Sequence, residues 1–135
     1  IKGAFFCAQR ALEGMKQKGW GRVINISSVH EVKATGFCSV YGISKGAMQL
    51  LLRELALEYS RCGITVNNVA PGAIRTDINR GVLSDPAYEA KVIGKIPAGF
   101  IGEPKDVAHL VAFLASEEAR YVTGATFLID GGLSL

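Results

Sequence analysis

Two short apolar segments, joined by a longer segment with helical periodicity, constrain the fold of this chain most. Residues 22–27 and 64–70 are rich in Val and Ile and have the length of strands. The Val23-Ile24-Asn25-Ile26 core of the first segment is typical of a strand that helices cover on both faces. A helix is predicted over residues 40–60, whose apolar side chains at helical spacing are Met48, Leu51, Leu52, Leu55 and Leu57. A helix between two buried strands indicates a parallel α/β sheet.

Further elements are predicted on either side of this unit. Residues 3–18 carry Phe6, Ala11 and Met15 at helical spacing, and Gly19-Trp20-Gly21 is expected to end that helix. Residues 29–39 are predicted to be a loop that can reach over a pocket. Gly63 is the expected end of the second helix.

The carboxyl-terminal third begins with a polar stretch that runs to about Gly102. One or two short helices are expected there, one of them beginning near Pro86 with Ser84 or Asp85 as its cap. Pro104 is expected to open another helix, and residues 126–129 a last strand. The predicted buried face of that helix consists of Val107, Leu110, Val111 and Leu114.

Composition narrows the possible classes of function. The 135 residues are 49% hydrophobic and 20% charged, as in globular domains. No apolar run approaches the ~20 residues of a membrane span and no signal pattern opens the chain, so a cytosolic protein is expected. The net charge of +3 is scattered, which disfavours nucleic-acid binding. Cys7, Cys38 and Cys62 lack metal-knuckle spacing and are expected to be buried or half-buried thiols.

Tyr41 and Lys45 stand four residues apart within the predicted helix over residues 40–60. Residues at this spacing share one helix face, and an ammonium there can lower the pKa of a phenol. A free phenol of this kind ionises near pH ~10, but beside a cation it can exchange a proton with an alcohol or carbonyl at neutrality. The same pattern is also common on solvated helix faces, so the pair alone leaves both interpretations open.

Three further segments accompany this pair. Ser28 stands thirteen residues before Tyr41, Pro71-Gly72-Ala73-Ile74-Arg75-Thr76 follows the second strand, and Ile129-Asp130-Gly131-Gly132 lies near the end. With the Tyr-x-x-x-Lys pattern, these segments resemble the short-chain dehydrogenase/reductase superfamily over essentially the whole chain. The resemblance implies an α/β fold with a Rossmann-type, doubly wound parallel sheet. It also implies an NAD(P)-dependent oxidoreductase.

The resemblance implies catalytic roles for Ser28, Tyr41 and Lys45. Hydride transfer between an alcohol carbon and a nicotinamide ring leaves a proton to be moved, and Tyr41 is the expected acid or base. Lys45 is expected to hydrogen-bond the nicotinamide ribose, and Ser28 to donate to the substrate oxygen. Ser27 is the competing serine, but the thirteen-residue gap between Ser28 and Tyr41 matches the family pattern.

The turn after the second strand is expected to bind the cofactor, NAD or NADP. Pro71 fixes the turn, and Gly72 lets the backbone approach a ligand closely. Ile74 and Thr76 can then present main-chain and hydroxyl groups to the nicotinamide carboxamide. A plain tight turn is the alternative if these residues are considered without Ser28, Tyr41 and Lys45.

Four other polar residues have open or minor roles. His30 is a candidate substrate contact or a simple loop residue. His109 lies on the predicted late helix, so no cluster of metal ligands is expected. Asp130 is predicted to form a turn rather than to act as a catalytic acid. Asn25 either supports the cofactor side of its strand or packs within the sheet.

No glycine-rich turn that could hold a pyrophosphate occurs in the chain, and residues 1–6 resemble the start of a helix. Residues 1–135 are therefore expected to be the carboxyl-terminal part of a single Rossmann-type dehydrogenase domain, without its amino-terminal dinucleotide-binding half. The resemblance also implies a homo-oligomer, a dimer or tetramer, that acts on a small molecule. The alternative is an inactive remnant or a subunit-interaction module.

Within the superfamily, the chain resembles the glucose 1-dehydrogenase branch, which oxidises β-D-glucose with NAD or NADP. The resemblance includes Ser27-Ser28-Val29-His30-Glu31 and Ile96-Pro97-Ala98-Gly99-Phe100-Ile101-Gly102. The chain differs from that branch at Gly36-Phe37-Cys38, Arg75 and Asp77. Reduction of a 3-oxoacyl thioester, or turnover of another sugar or polyol, is the alternative. Serine hydrolysis is disfavoured because no Gly-x-Ser-x-Gly elbow occurs.

Overall fold

A computed structural model describes residues 1–36 and 38–135, and Phe37, within the predicted loop over residues 29–39, lies outside the described residues. Short 3₁₀ turns occur at Val29–Glu31, Ser60–Cys62 and Glu117–Ala119. The helices and strands, in chain order, are α1 (Lys2–Lys18), β1 (Gly21–Ile26), α2 (Ser39–Tyr59), β2 (Ile64–Pro71), α3 (Asp77–Leu83), α4 (Pro86–Ile93), α5 (Pro104–Ala115) and β3 (Thr126–Ile129).

The three strands form one parallel sheet in the order β1-β2-β3. Val23 of β1 stands opposite Val66 of β2, and Val69 of β2 stands opposite Phe127 of β3. All residues of the central strand except the last are buried. The prediction of a parallel α/β sheet is therefore confirmed.

Helices cover both faces of this sheet. On one face, α1 and α2 pack against β1 and β2 through a cluster that includes Leu12, Leu52 and Val66. On the other face, α5 packs through Leu114 against Val69, with the predicted Val107, Leu110 and Val111 beside it. Alternate residues of each strand point to opposite faces, so one strand contributes to both clusters.

Local capping explains where several elements begin and end. Gly19 ends α1 with φ of 65°, a left-handed conformation that glycine adopts without steric cost. Gly63 does the same after the 3₁₀ turn that follows α2. Asp85 caps α4 by accepting a hydrogen bond from the backbone N–H of Ala87 at 2.9 Å. Asp85, and not Ser84, is thus the cap of the helix predicted near Pro86.

Several apolar residues of the predicted helices are exposed. Leu57 is 82% exposed and Phe6 54% exposed, because α2 and α1 turn other apolar residues toward the sheet. Ala11 is exposed as well, and the buried residues of α1 are Ala8 and Leu12. The thiols of Cys7 and Cys38 are also exposed, and only that of Cys62 is half-buried. Helical spacing permits several faces, and packing selects one of them.

Within residues 1–36 and 38–135, no helix combines the length and the apolar character that crossing a membrane requires.

Replacing Leu52 with Ala is expected to lower the free energy of unfolding by about 2–5 kcal/mol, because this fully buried side chain lies between α2 and the sheet. The control is Ile78→Ala on α3, whose exposed side chain should change stability by less than about 0.5 kcal/mol. Urea unfolding measures both values. Equal losses in the two variants would contradict the packing described for α2.

Candidate active site

The residues that follow β1 and β2 meet at one edge of the sheet, because parallel strands end on the same side. Ser28 and His30 follow β1, and Gly72 and Ile74 follow β2. All four line one cavity of about 330 Å³. The structure therefore brings together the predicted serine, its neighbouring histidine and part of the predicted cofactor turn.

Ser28 is buried and caps the 3₁₀ turn Val29–Glu31. Its Oγ accepts a hydrogen bond from the backbone N–H of His30 at 3.2 Å. Because a hydroxyl can accept and donate at once, this bond leaves the Ser28 proton free for another acceptor. Ser27 is also buried, but it does not line the cavity, and its Oγ has no hydrogen-bond partner among the described residues.

Tyr41 and Lys45 lie on successive turns of α2. The Nζ atom of Lys45 lies 5.6 Å from the centre of the Tyr41 ring. The same ammonium donates a hydrogen bond to the carbonyl oxygen of Ile26 at 3.1 Å. Lys45 therefore links α2 to the end of β1, beside the strand end that leads to Ser28.

His30 joins the turn after β1 to Tyr41. The two rings meet edge to face with centroids 5.4 Å apart and an angle of 79° between their planes. Sequence reasoning left His30 as either a substrate contact or a loop residue. Its position beside Tyr41, on the wall of the cavity, supports the first of these roles.

The turn after β2 is held mainly by the carboxyl-terminal part of the chain. Gly72 donates a backbone hydrogen bond to Ile129 at 3.1 Å, and a Cβ atom at Gly72 would lie 2.7 Å from Cβ of Asp130. Any side chain at position 72 would therefore clash with Asp130, and this contact explains the glycine. Ile74 pairs with Gly102 in an isolated parallel bridge.

The predicted residues of this turn do not all face the same space. Pro71 is the last residue of β2, and Thr76 lies immediately before α3. Thr76 lines a neighbouring cavity of about 340 Å³ and not the cavity with Ser28. Its hydroxyl accepts a hydrogen bond from Asn79 at 3.4 Å.

The wall of the Ser28 cavity includes residues that sequence reasoning missed. They come from α3, α4 and the segments before α5 and after β3, and their polar members are Asn79 and Tyr88. The region of α3 and α4 was predicted only as a polar stretch with short helices. The apolar members of the wall are Val29, Ala73, Ile74, Val82, Leu83, Val92, Ile101 and Leu133.

Asp130 organises the turn that carries Leu133 to this wall. Its carboxylate accepts hydrogen bonds from the backbone N–H groups of Gly132 at 2.9 Å and Ser134 at 2.8 Å. Partial burial by itself raises the pKa of Asp130, but the hydrogen bonds from Ser134 and Gly132 together hold it below its ordinary value. The prediction that Asp130 forms a turn is confirmed.

Metal-binding residues do not gather in the described part of the chain. Residues 1–36 and 38–135 contain no group of three or more His, Cys, Asp or Glu side chains that could hold a metal ion. His109 is exposed on α5 and does not line the cavity that includes Ser28 and His30.

Comparison with known proteins places this arrangement among dehydrogenases and reductases. Residues 1–134 match a family model described as enoyl-(acyl carrier protein) reductase. The chain is 43% identical to 3beta-hydroxysteroid dehydrogenase 1 from Eggerthella lenta, an alignment that covers 100% of this chain and 52% of the relative. It is 42% identical to glucose 1-dehydrogenase 2 from Bacillus subtilis, again over 100% of this chain and 52% of the relative.

A solved structure is similar as well. The crystal structure of a gluconate 5-dehydrogenase from Burkholderia cenocepacia, in complex with NADP and tartrate, matches with a TM-score of 0.93 and 34% identity. That match covers 99% of this chain and 52% of the other chain. The chain thus spans about half the length of the relatives that it matches.

Asp130 makes stability depend on pH in the acid range. Because its pKa is lower in the folded state, its contribution is complete above the unfolded pKa of about 4. The contribution is lost as the pH falls through the lower folded value. In Asp130→Asn, the free energy of unfolding should therefore fall less steeply with acid than in the unsubstituted protein. Urea unfolding from pH 6 to the acid limit measures the two slopes, and identical slopes would contradict the role assigned to this carboxylate.

Proposed function

The chain belongs to the short-chain dehydrogenase/reductase superfamily, and we propose that it carries the catalytic groups of an NAD(P)-dependent oxidoreductase. The likeness to solved dehydrogenases confirms the Rossmann-type fold predicted from the sequence. The reaction proposed is hydride transfer between a nicotinamide cofactor and an alcohol or carbonyl carbon. The observation that carries the proposal is the position of Lys45, which lies beside the Tyr41 ring and donates to the end of β1, while His30 joins the turn of Ser28 to Tyr41.

In this proposal Tyr41 moves the proton. When an alcohol is oxidised, its hydroxyl proton passes to the phenolic oxygen of Tyr41, and in reduction the proton returns to the carbonyl oxygen. The positive charge of Lys45, 5.6 Å from the ring centre, stabilises negative charge on that oxygen. Ser28 donates its hydroxyl proton to the substrate oxygen and holds that oxygen for the transfer, while the backbone N–H of His30 donates to the same hydroxyl.

The residues at the carboxyl ends of β1 and β2 fit the nicotinamide end of a dinucleotide. An ammonium has three donors, and the bond from Lys45 to Ile26 leaves donors for ribose hydroxyls. Gly72 and Ile74 bring backbone to the cavity that Ser28 lines. NAD or NADP, when bound, supplies or accepts the hydride. The NADP named for the Burkholderia cenocepacia relative supports this assignment.

We also propose that a dinucleotide-binding half completes the domain. Two observations support this. The relatives are about twice as long as the chain, and β1 forms one edge of the described sheet, where a further strand can pair. The inactive remnant or interaction module remains the alternative, and nucleotide binding distinguishes the two. Cytoplasmic location stays a prediction from the sequence.

Homo-oligomer formation is part of the proposal. The outer face of α2 exposes Ile43, Leu50 and Leu57, which recur every seven residues along the helix. Phe6 adds apolar surface on α1, which packs beside α2 on the same face of the sheet. Apolar side chains repeated along a helix face support pairing with a second helix. We therefore expect a dimer or tetramer built through α1 and α2.

A sugar is the first candidate substrate. The proposal of glucose 1-dehydrogenase activity rests on the sequence resemblance and on the 42% identity to the Bacillus subtilis enzyme. His30 on the cavity wall offers a polar contact for a sugar hydroxyl. A glucose molecule needs several such contacts, because each buried hydroxyl must keep a hydrogen-bond partner.

A substrate with an apolar body is the second candidate, and the cavity lining favours it. Eight apolar side chains line the cavity, and its polar side chains are those of Ser28, His30, Asn79 and Tyr88. The amide nitrogen of Asn79 already donates to the carbonyl of Ile74 at 2.9 Å. Such a wall suits a lipophilic secondary alcohol or a 3-oxoacyl chain. The 43% identity to a hydroxysteroid dehydrogenase is consistent with this candidate.

Tyr41→Phe is expected to lower turnover by about 10²–10⁴-fold in the enzyme that contains this chain, because the proton carrier is removed. Cofactor affinity should stay within about twofold, because the ring and Lys45 remain. Steady-state absorbance at the nicotinamide band and a fluorescence titration measure the two properties. Tyr121→Phe is the matched control, since Tyr121 is fully exposed. Retained turnover in Tyr41→Phe would refute the assigned proton carrier.

Comparing kcat/KM for glucose with that for a lipophilic secondary alcohol, such as a hydroxysteroid, distinguishes the two substrate candidates. The apolar wall predicts at least a tenfold preference for the lipophilic alcohol, about the value of two buried methylene groups. A preference for glucose of that size would establish the sugar candidate instead. Leu83→Asn should weaken the lipophilic preference, because it replaces part of the wall with an amide.

A further inference from the structure

Four polar side chains near the Ser28 turn form a continuous chain of hydrogen bonds that the proposed reaction does not use. Asn25 Nδ2 donates to Asn68 Oδ1 at 3.0 Å, and Asn68 Nδ2 donates to Glu31 Oε2 at 3.3 Å. Gln49 Nε2 donates to Glu31 Oε1 at 3.4 Å. Asn68 is fully buried, and the other three side chains are half-buried. The carboxylate of Glu31 therefore receives donors on both of its oxygens.

Glu31 and its two partners lie on three different elements. Glu31 is the last residue of the 3₁₀ turn that Ser28 caps, three positions along the chain. Asn68 lies in β2, and Gln49 lies in α2. Gln49 follows Lys45 by four residues and Tyr41 by eight, so all three share one face of the helix. The carboxylate thus bridges the turn that carries Ser28 to the helix face that carries Tyr41 and Lys45.

The surroundings require an acceptor at this position. The amide oxygen of Asn68 accepts a hydrogen bond from Asn25. Its NH₂ group is buried as well and needs an acceptor of its own. A buried donor without a partner is unfavourable, and Glu31 satisfies it. The second carboxylate oxygen is then directed toward Gln49. Glu31 does not line the cavity that Ser28 lines, so it is not placed to contact a substrate there.

We infer that Glu31 is a positioning residue, which holds Ser28 at the correct distance from Tyr41 through Asn68 and Gln49. This inference rests on the proposed function. Hydride and proton transfer need the substrate oxygen held between the serine and the phenol, and small misplacements of such groups reduce turnover strongly. The bridge adds two side-chain hydrogen bonds to the packing of the turn beside α2 and β2.

The test compares variants of Glu31 in the enzyme that contains this chain. Glu31→Ala removes both acceptors and is expected to lower kcat roughly 10- to 100-fold. Cofactor affinity, measured by fluorescence titration, should change less than about twofold, because the residues proposed to contact it are untouched. Glu54→Ala, on an exposed position of α2, is the matched control and should keep its kcat.

A conservative variant of Glu31 distinguishes a positioning role from a role of its negative charge. In Glu31→Gln, the amide oxygen can accept from Asn68, and the amide nitrogen can donate to Gln49 once the Gln49 amide turns over. This variant should keep kcat within about threefold. The exchanged pair Glu31→Gln with Gln49→Glu preserves the same contacts and should do so too. If Glu31→Gln is as impaired as Glu31→Ala, or if Glu31→Ala keeps its kcat, the inference is overturned.

A second variant covers the case in which Glu31→Ala fails to fold. Gln49→Leu breaks only the helix side of the bridge, and it should lower kcat severalfold with unchanged cofactor affinity and thermal midpoint. An unchanged kcat in Gln49→Leu overturns the inference. Failure of the proposed function is distinct, because it is detected by retained turnover in Tyr41→Phe, whatever the Glu31 variants do.

Discussion

The parallel pairing of β1 with β2 is the interaction on which the rest of this structure depends. The paired strands present two apolar faces, and α1 and α2 bury one of them while α5 buries the other. The pairing also places the carboxyl ends of both strands at one edge. Ser28 and Gly72, 44 residues apart in the sequence, meet there on the wall of one cavity. The location of the candidate site is therefore a consequence of the sheet.

A small number of contacts then holds the candidate catalytic side chains of α2 beside the end of β1. The bond from Lys45 to the carbonyl of Ile26 fixes the ammonium at the end of β1, and the edge of His30 meets the ring of Tyr41. Ser28 is oriented by the turn that it caps. Each group is held by backbone or by a neighbouring side chain, so little conformational freedom needs to be lost when a substrate binds.

The turn after β3, which is far from Ser28 in the sequence, also forms part of the candidate site. Asp130 packs against Gly72, accepts two backbone hydrogen bonds and directs Leu133 to the cavity wall. Lys33, in the segment after the Ser28 turn, donates to the carbonyl of Leu133. The turn after β2 is therefore constrained by protein packing before any ligand is considered. This packing also adds the apolar side chain of Leu133 to the cavity wall.

The sequence by itself determined the strands, the long helices and the Tyr41–Lys45 pair with Ser28 before it. These features depend on neighbours within a few residues, through helical periodicity, capping and β-branched content. The resemblance to a known family supplied the roles of those residues. The predicted parallel sheet followed from the order of the elements.

Only the tertiary structure decided which face of each helix is buried, what lines the cavity and what Glu31 contacts. Phe6 and Leu57 have the same local pattern as buried residues, but neither is packed against the sheet. The bond between Glu31 and Asn68 joins residues 37 positions apart. Such contacts depend on how distant segments pack, and local spacing carries no information about that packing.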